Sequence, residues 1–184
     1  MKITKRSLQK INLDEGFITA FAQEYPKGLY LADWTQAEQL RIMCTPFCRW
    51  LTFAAHNGVL PLWSMTGVDL SGANLSNINL ARVDFSYANL SRANLSQTIL
   101  SDSNLYETDF CGANLSHAYL SGADATNANL SGADMGDAHL YGTELSGANL
   151  SRTNLYNTDL SGANLARTNL DNANLSEAKW VYWD

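Results

Sequence analysis

A large apolar residue stands at every fifth position from Leu70 to Trp180. The run Leu70, Leu75, Leu80, Phe85 and onward makes 23 consecutive blocks, interrupted only by the small Ala125. Two positions earlier the residue is small, as at Ala73, Ala88, Ala113, Thr143 and Thr158. The slot between is mostly Asn or Asp, such as Asn74, Asp84 and Asn94, and the two positions that follow are polar or tiny, such as Ser71-Gly72 and Ser91-Arg92. A period of five fits neither the helix repeat of about 3.6 nor the strand repeat of 2. It requires a chain that turns a corner every five residues. The small residue and the Leu of each block then face a narrow interior, and four such sides close a coil of about twenty residues. Stacked coils pair backbone to backbone at about 4.8 Å. Each coil buries its Leu only against its neighbours.

The motif Ala-(Asn/Asp)-Leu-X-X reads Ala-Asn-Leu in full in the blocks ending at Leu75, Leu90, Leu95, Leu115, Leu150 and Leu165. This repeat resembles the pentapeptide-repeat proteins, and the resemblance covers residues 66–180 of 184. It implies a right-handed quadrilateral β-helix with the Leu and the preceding small residue inward. No catalytic residue comes with it, so it implies a protein without enzyme activity and without a cofactor. The expected fold class is mainly β: a right-handed quadrilateral parallel β-helix with a small helical N-terminal cap. Twenty-three blocks at four per coil make nearly six coils, a rod roughly 28 Å long at about 4.8 Å per coil.

Two domains are expected: a mostly helical N-terminal cap over 1–63 and the β-helix, with an aromatic C-terminal end, over 64–184. Phe17, Ile18, Phe21 and Ala22 recur at helical spacing within 14–25, and Pro26 stops that helix. Leu29-Tyr30-Leu31 suggests a short strand. Asp33 N-caps a helix over about 34–44, and Thr45-Pro46 opens another over about 46–56, closed by Asn57-Gly58. The end of a solenoid exposes a core cross-section and an open β edge, and both need cover. That is the role expected of the head.

Residues 1–63 carry +2 and residues 64–184 carry −8, within a net −6 for the chain. An acidic rod argues against direct nucleic-acid binding by the rod, which needs a Lys/Arg stripe. The basic start, with Lys2, Lys5, Arg6 and Lys10, lacks the apolar core of a signal peptide, and no stretch reaches the length of a membrane span. Three cysteines, Cys44, Cys48 and Cys111, give an odd count that fits a reduced, cytoplasmic protein.

The pairing of Cys44 and Cys48 with His56 falls one ligand short of a zinc site, so the cysteines read as small buried hydrophobes. His117 and His139 stand among many Ser and Asp, but a triad also needs a pocket and an orienting shell, which an uninserted rod does not offer. No metal site is expected. The Asn and Asp ladders lack the Gly-rich nonapeptide of calcium-binding β-rolls. Their expected role is to hydrogen-bond the turning backbone. The repeat Thr residues Thr143, Thr153, Thr158 and Thr168 fall at the inward small position, so they make no outer Thr array.

With four blocks per coil, positions twenty apart stack, and two faces stand out. One carries Asp84, Asp124 and Glu144 outward with Glu107, beside Tyr87 and Tyr106, and is opposed only by Arg167 near its end. On the other, the Asn/Asp slot holds Ile99, Tyr119 and His139 one above another, with Tyr141 beside them and Gly122, Gly142 and Gly162 leaving the surface low. Aromatics beside bare backbone suit a contact surface; the competing reading is aromatic stacking that stiffens the rod. The expected function is therefore a non-enzymatic protein-binding scaffold or regulator, with a protein partner at this face. At the far end, Trp180, Val181, Tyr182 and Trp183 cannot all enter a narrow core. They either fold over the last coil or form a homodimer seam, as the resemblance to family members that pair through this end implies.

The resemblance also implies a second function. Some pentapeptide-repeat proteins imitate duplex DNA, bind DNA gyrase or topoisomerase, and protect it. Asp84, Glu107, Asp124 and Glu144 form the acidic stripe such a reading needs. Against it, a duplex as long as this rod would carry about 16 negative charges, and the repeats have no inserted loop.

Overall fold

The structure is a computed structural model of the chain, and it describes residues 2–3, 29–30 and 64–180. The chain divides into two compact units, Met1–Leu51 and Thr52–Asp184. In the first, β1 (Lys2–Ile3) pairs antiparallel with β2 (Leu29–Tyr30), Lys2 opposite Tyr30 and Ile3 opposite Leu29. The second strand lies where Leu29-Tyr30-Leu31 suggested one. The helices expected over 14–25, 34–44 and 46–56, their capping role, the boundary at 63/64, Cys44, Cys48 and His56, and Val181, Tyr182 and Trp183 lie outside the described residues.

In the second unit every fifth residue from Ser64 to Asp159 makes a parallel bridge with the residue twenty positions along. One ladder runs Asn74, Asn94, Asn114, Asp134, Asn154, Asn174, and three others run alongside it. Bridging at a step of twenty means four blocks per coil, so the coil is the quadrilateral one the sequence implies. It begins one block earlier than the Leu70 run. Met65 is fully buried, and Ser64 bridges Asp84. That block is hard to read from sequence because it has Ser in the Asn/Asp slot.

The repeat accounts for its backbone donors one by one, as a buried backbone must. In the block around Phe85, the Phe85 amide donates to Asn104 O of the next coil at 2.8 Å, and the Tyr87 amide to Tyr106 O at 2.9 Å. The Asn89 amide donates to Val68 O of the previous coil at 2.8 Å, and the Ala88 amide closes the turn on Phe85 O at 2.9 Å. The fifth, from Ser86, goes to the Asp84 side chain at 3.0 Å. Asn and Asp therefore recur before the Leu because their side chain is the acceptor for a turn amide that no other coil reaches.

The turn geometry explains the "polar or tiny" positions. The residue two after each Leu has positive φ at every corner from Gly67 to Glu177. Glycine, which takes this conformation freely, holds eight of these corners. The others are non-glycine residues, Arg82, Tyr87, Glu107 and His117 among them, at φ between 51° and 61°. Each such residue costs about 1–2 kcal/mol, which coil-to-coil hydrogen bonds flanking the turn offset in every coil but the last.

The interior is a column of Leu with small residues between. Leu80, Leu95, Leu115, Leu140 and Leu155 have no exposed surface. Where the small inward residue is Thr, its hydroxyl donates to a carbonyl one coil back: Thr98 to Leu75 O, Thr143 to Leu120 O and Thr158 to Met135 O, at 2.7–2.9 Å. These hydroxyls therefore enter the core without an unmet hydrogen bond. The two ends differ. Met65, Leu70, Leu75 and Leu80 of the first coil are buried, whereas Leu165, Leu170 and Leu175 of the last are half-buried and Trp180 is exposed.

Candidate functional site

At the 22 turns from Ser71 to Ser176, the side chain before the Leu caps the amide after it in all but three. The three exceptions are Ile99, Tyr119 and His139. They are successive members of one ladder, with Ile99 bridged to Tyr119 and Tyr119 to His139. None of them reaches the turn amide that follows. The amides of Ser101, Ser121 and Tyr141 consequently have no protein acceptor among the described residues.

The replacements build a plank. Tyr119 and His139 stack face to face, ring centroids 4.7 Å apart and 6° from parallel. Ile99, Tyr119 and Tyr141 are 37%, 45% and 56% exposed, so the sequence-selected residues do share one outward surface. The ring of Tyr141 leans over Gly162, and the corner at Gly142 is open. On the opposite flank a shallow trough of about 430 Å³ runs between Ile99 and Tyr119 and the corner residues Asn77, Gln97 and His117.

The acidic residues also assemble as expected. Asp84, Asn104, Asp124, Glu144 and Asn164 form one ladder, and Glu107 stands at the neighbouring corner. Three of the four acids cap turns, however: Asp84 takes the Ser86 amide, Asp124 the Thr126 amide and Glu144 the Ser146 amide, at 3.0–3.1 Å. Burial works to raise the Asp84 pKa, but hydrogen bonds from Ser86 and Thr66 outweigh it and hold the carboxyl below its ordinary value. The Glu144 carboxyl is likewise held low, first by Ser146 and then by Asn164, which bonds both of its oxygens at 2.7 and 2.9 Å. Much of this stripe is thus turn chemistry, performed at other corners by neutral Asn. Tyr87 and Tyr106 beside it meet edge to face at 5.5 Å.

Of the aromatic end, Trp180 is described and is 36% exposed. Among the described residues no group of three or more His, Cys, Asp and Glu is arranged to hold a metal ion, and no helix is long and apolar enough to cross a membrane. Sequence reasoning missed a second trough of about 540 Å³, where Gly112 and Gly132 leave a gap beside Cys111, Ser131 and Arg152. Its signal was two glycines in one corner column between Arg92 and Arg152.

A parallel coil with four short sides, a Leu interior and side-chain-capped corners defines a β-helical solenoid of the repeat class. The chain belongs to the pentapeptide repeat family: that family's model, described as pentapeptide repeats (8 copies), matches residues 64–102, 103–142 and 143–179. The fold is accordingly a right-handed β-helix. A pentapeptide repeat protein from the cyanobacterium Cyanothece 51142 is 26% identical, covering 70% of this chain and 96% of that one, with a TM-score of 0.37. One from the Arabidopsis thaliana thylakoid lumen is 30% identical over 55% of this chain and 67% of that one, with a TM-score of 0.30. QnrB1, a plasmid-mediated fluoroquinolone resistance protein, is 21% identical over 61% and 77%, with a TM-score of 0.28. No curated protein matches the chain.

Proposed function

We propose that this is a non-enzymatic protein-binding scaffold or regulator whose contact surface is the face of Ile99, Tyr119, His139 and Tyr141. The observation that carries this reading is the break in the capping ladder. At these three turns, stacked one above another on successive coils, an internal hydrogen bond is given up and exposed apolar and aromatic surface stands in its place. Stacking stiffens only the Tyr119–His139 pair and leaves Ile99 and Tyr141 exposed. A surface that is rigid before binding loses little entropy on docking. The odd count of three cysteines supports a reducing, cytoplasmic setting. Trp180 at the half-buried last coil supports pairing of two copies through that end.

The double substitution Tyr119→Ser with Tyr141→Ser tests the face. Both side chains are about half exposed, so the melting temperature is expected to move little, while capture of a protein partner from a lysate drops. Undiminished capture removes this face from consideration.

The alternative is a DNA mimic that binds gyrase or topoisomerase, supported by the stacked ladder of Asp84, Asp124 and Glu144 with Glu107 nearby. It predicts gyrase binding that falls steeply with added salt and weakens when Asp84→Asn, Glu107→Gln, Asp124→Asn and Glu144→Gln are combined. The aromatic face predicts partner binding that weakens only slightly with added salt and is unchanged by those four substitutions. Absence of gyrase binding at low salt eliminates the mimic.

A further inference from the structure

The three amides left without acceptors define what the aromatic face is chemically able to hold. The amides of Ser101, Ser121 and Tyr141 have no acceptor among the described residues and lie at successive turns of one corner, about 4.8 Å apart. They are half-buried or exposed, so they face a ligand or water. An occupant must therefore bring acceptors. It must also bring apolar surface for Tyr119, Tyr141 and Ile99, and room for its backbone at Gly142, where nothing stands within 4 Å of a Cβ position. The surrounding charge is acidic. Asp137 sits at the corner before His139 and Asp159 one coil beyond it, with Lys179 beside Asp159 on the next coil, while the nearby Arg82 is paired with Asp102 at 3.7 Å. An anionic group beside Asp137 would be repelled.

One common polypeptide conformation meets these demands at the Ser101 and Tyr141 amides and leaves the Ser121 amide between them to water. A polyproline II segment has free carbonyls, and its prolines have no amide donors of their own. It repeats every three residues, about 9.3 Å, close to the roughly 9.6 Å of two coils that separates Ser101 from Tyr141. Its prolines dock on aromatic rings. We propose that the face of Ile99, Tyr119, His139 and Tyr141 binds a proline-rich segment of a protein partner in polyproline II conformation, its carbonyls on the Ser101 and Tyr141 amides and a basic flank toward Asp137. The inference rests on the contact-face reading above and names the chemistry of that face's ligand.

The test titrates the full chain with a peptide of consecutive prolines bearing an arginine at each end. Backbone amide shifts are followed by nuclear magnetic resonance and affinity by calorimetry. Saturable shifts are expected at Ser101 and Tyr141. The paired substitution Tyr119→Asn and His139→Asn puts the repeat's own capping residue back at two turns. It is expected to fold at least as stably as the natural chain and to bind the peptide at least tenfold more weakly, whereas Tyr119→Phe keeps binding. Equal binding of a glycine-serine peptide with the same arginines would mean that charge alone attracts it, and would overturn the proposal. So would shifts produced by an oligoglutamate peptide and not by the proline peptide. If the proline peptide fails while Tyr119→Ser with Tyr141→Ser still abolishes partner capture, the proline inference falls and the contact face stands. If neither the peptide nor partner capture depends on these residues, both fall.

Discussion

Leu115→Asp is expected to lower the stability of the β-helix by at least about 4 kcal/mol, the scale for an uncompensated buried charge. Leu115 has no exposed surface, and its interior contains only apolar groups and hydroxyls whose hydrogen bonds are met. No Lys or Arg is buried among the described residues to pair the new carboxylate. A coil that loses its Leu also uncovers those above and below it, because in a solenoid each repeat is buried by its neighbours. The adjacent Asn114→Ser is the internal control. Asn114 points outward and caps the Ser116 amide at 3.0 Å; losing that single bond costs about 1 kcal/mol. Urea unfolding of the two variants separates them, and equal midpoint shifts would mean that the inward and outward positions are misassigned.

Gly132→Val is expected to cost about 2 kcal/mol and Gly132→Asn less than about 1, because a β-branched residue tolerates positive φ poorly and Asn tolerates it well. Gly132 has φ +67°, and nothing stands within 4 Å of the Cβ a side chain would add. The penalty is therefore one of backbone conformation and not of crowding. Arg92 and Arg152 occupy the same corner column at φ 57° and 59°, which shows that an unbranched side chain is accommodated there. Denaturation midpoints compared at unchanged slope provide the measurement. A Val variant as stable as the natural chain would mean that the left-handed corner is not a constraint.

The coil was legible because its spacing is so restrictive. A large apolar residue every fifth position permits few closed shapes, and twenty-residue stacking then followed by counting. That count alone brought Ile99, Tyr119 and His139 onto one ladder. The first block was not legible, since Met65 is buried without Asn or Asp before it. The left-handed corners were not legible either. The residues there include Arg82, Tyr87, Glu107 and His117, whose only common property is a backbone conformation imposed by the turn. The acidic stripe was visible as charge, but its work was not: Asp84, Asp124 and Glu144 cap amides as neutral Asn does elsewhere. For the same reason sequence showed that Tyr119 replaces an Asn or Asp, but not that the Ser121 amide thereby loses its acceptor.

The aromatic face and the acidic stripe lie on different ladders of one rod, so the place where a partner touches decides between them. Amide hydrogen exchange, with and without the captured partner, reads that place directly. The contact-face account predicts added protection at Ile99–Ser101, Tyr119–Ser121 and His139–Gly142, with exchange around Asp84, Glu107, Asp124 and Glu144 unchanged. Protection confined to those four acidic residues, with the aromatic ladder exchanging as in the free protein, would contradict it.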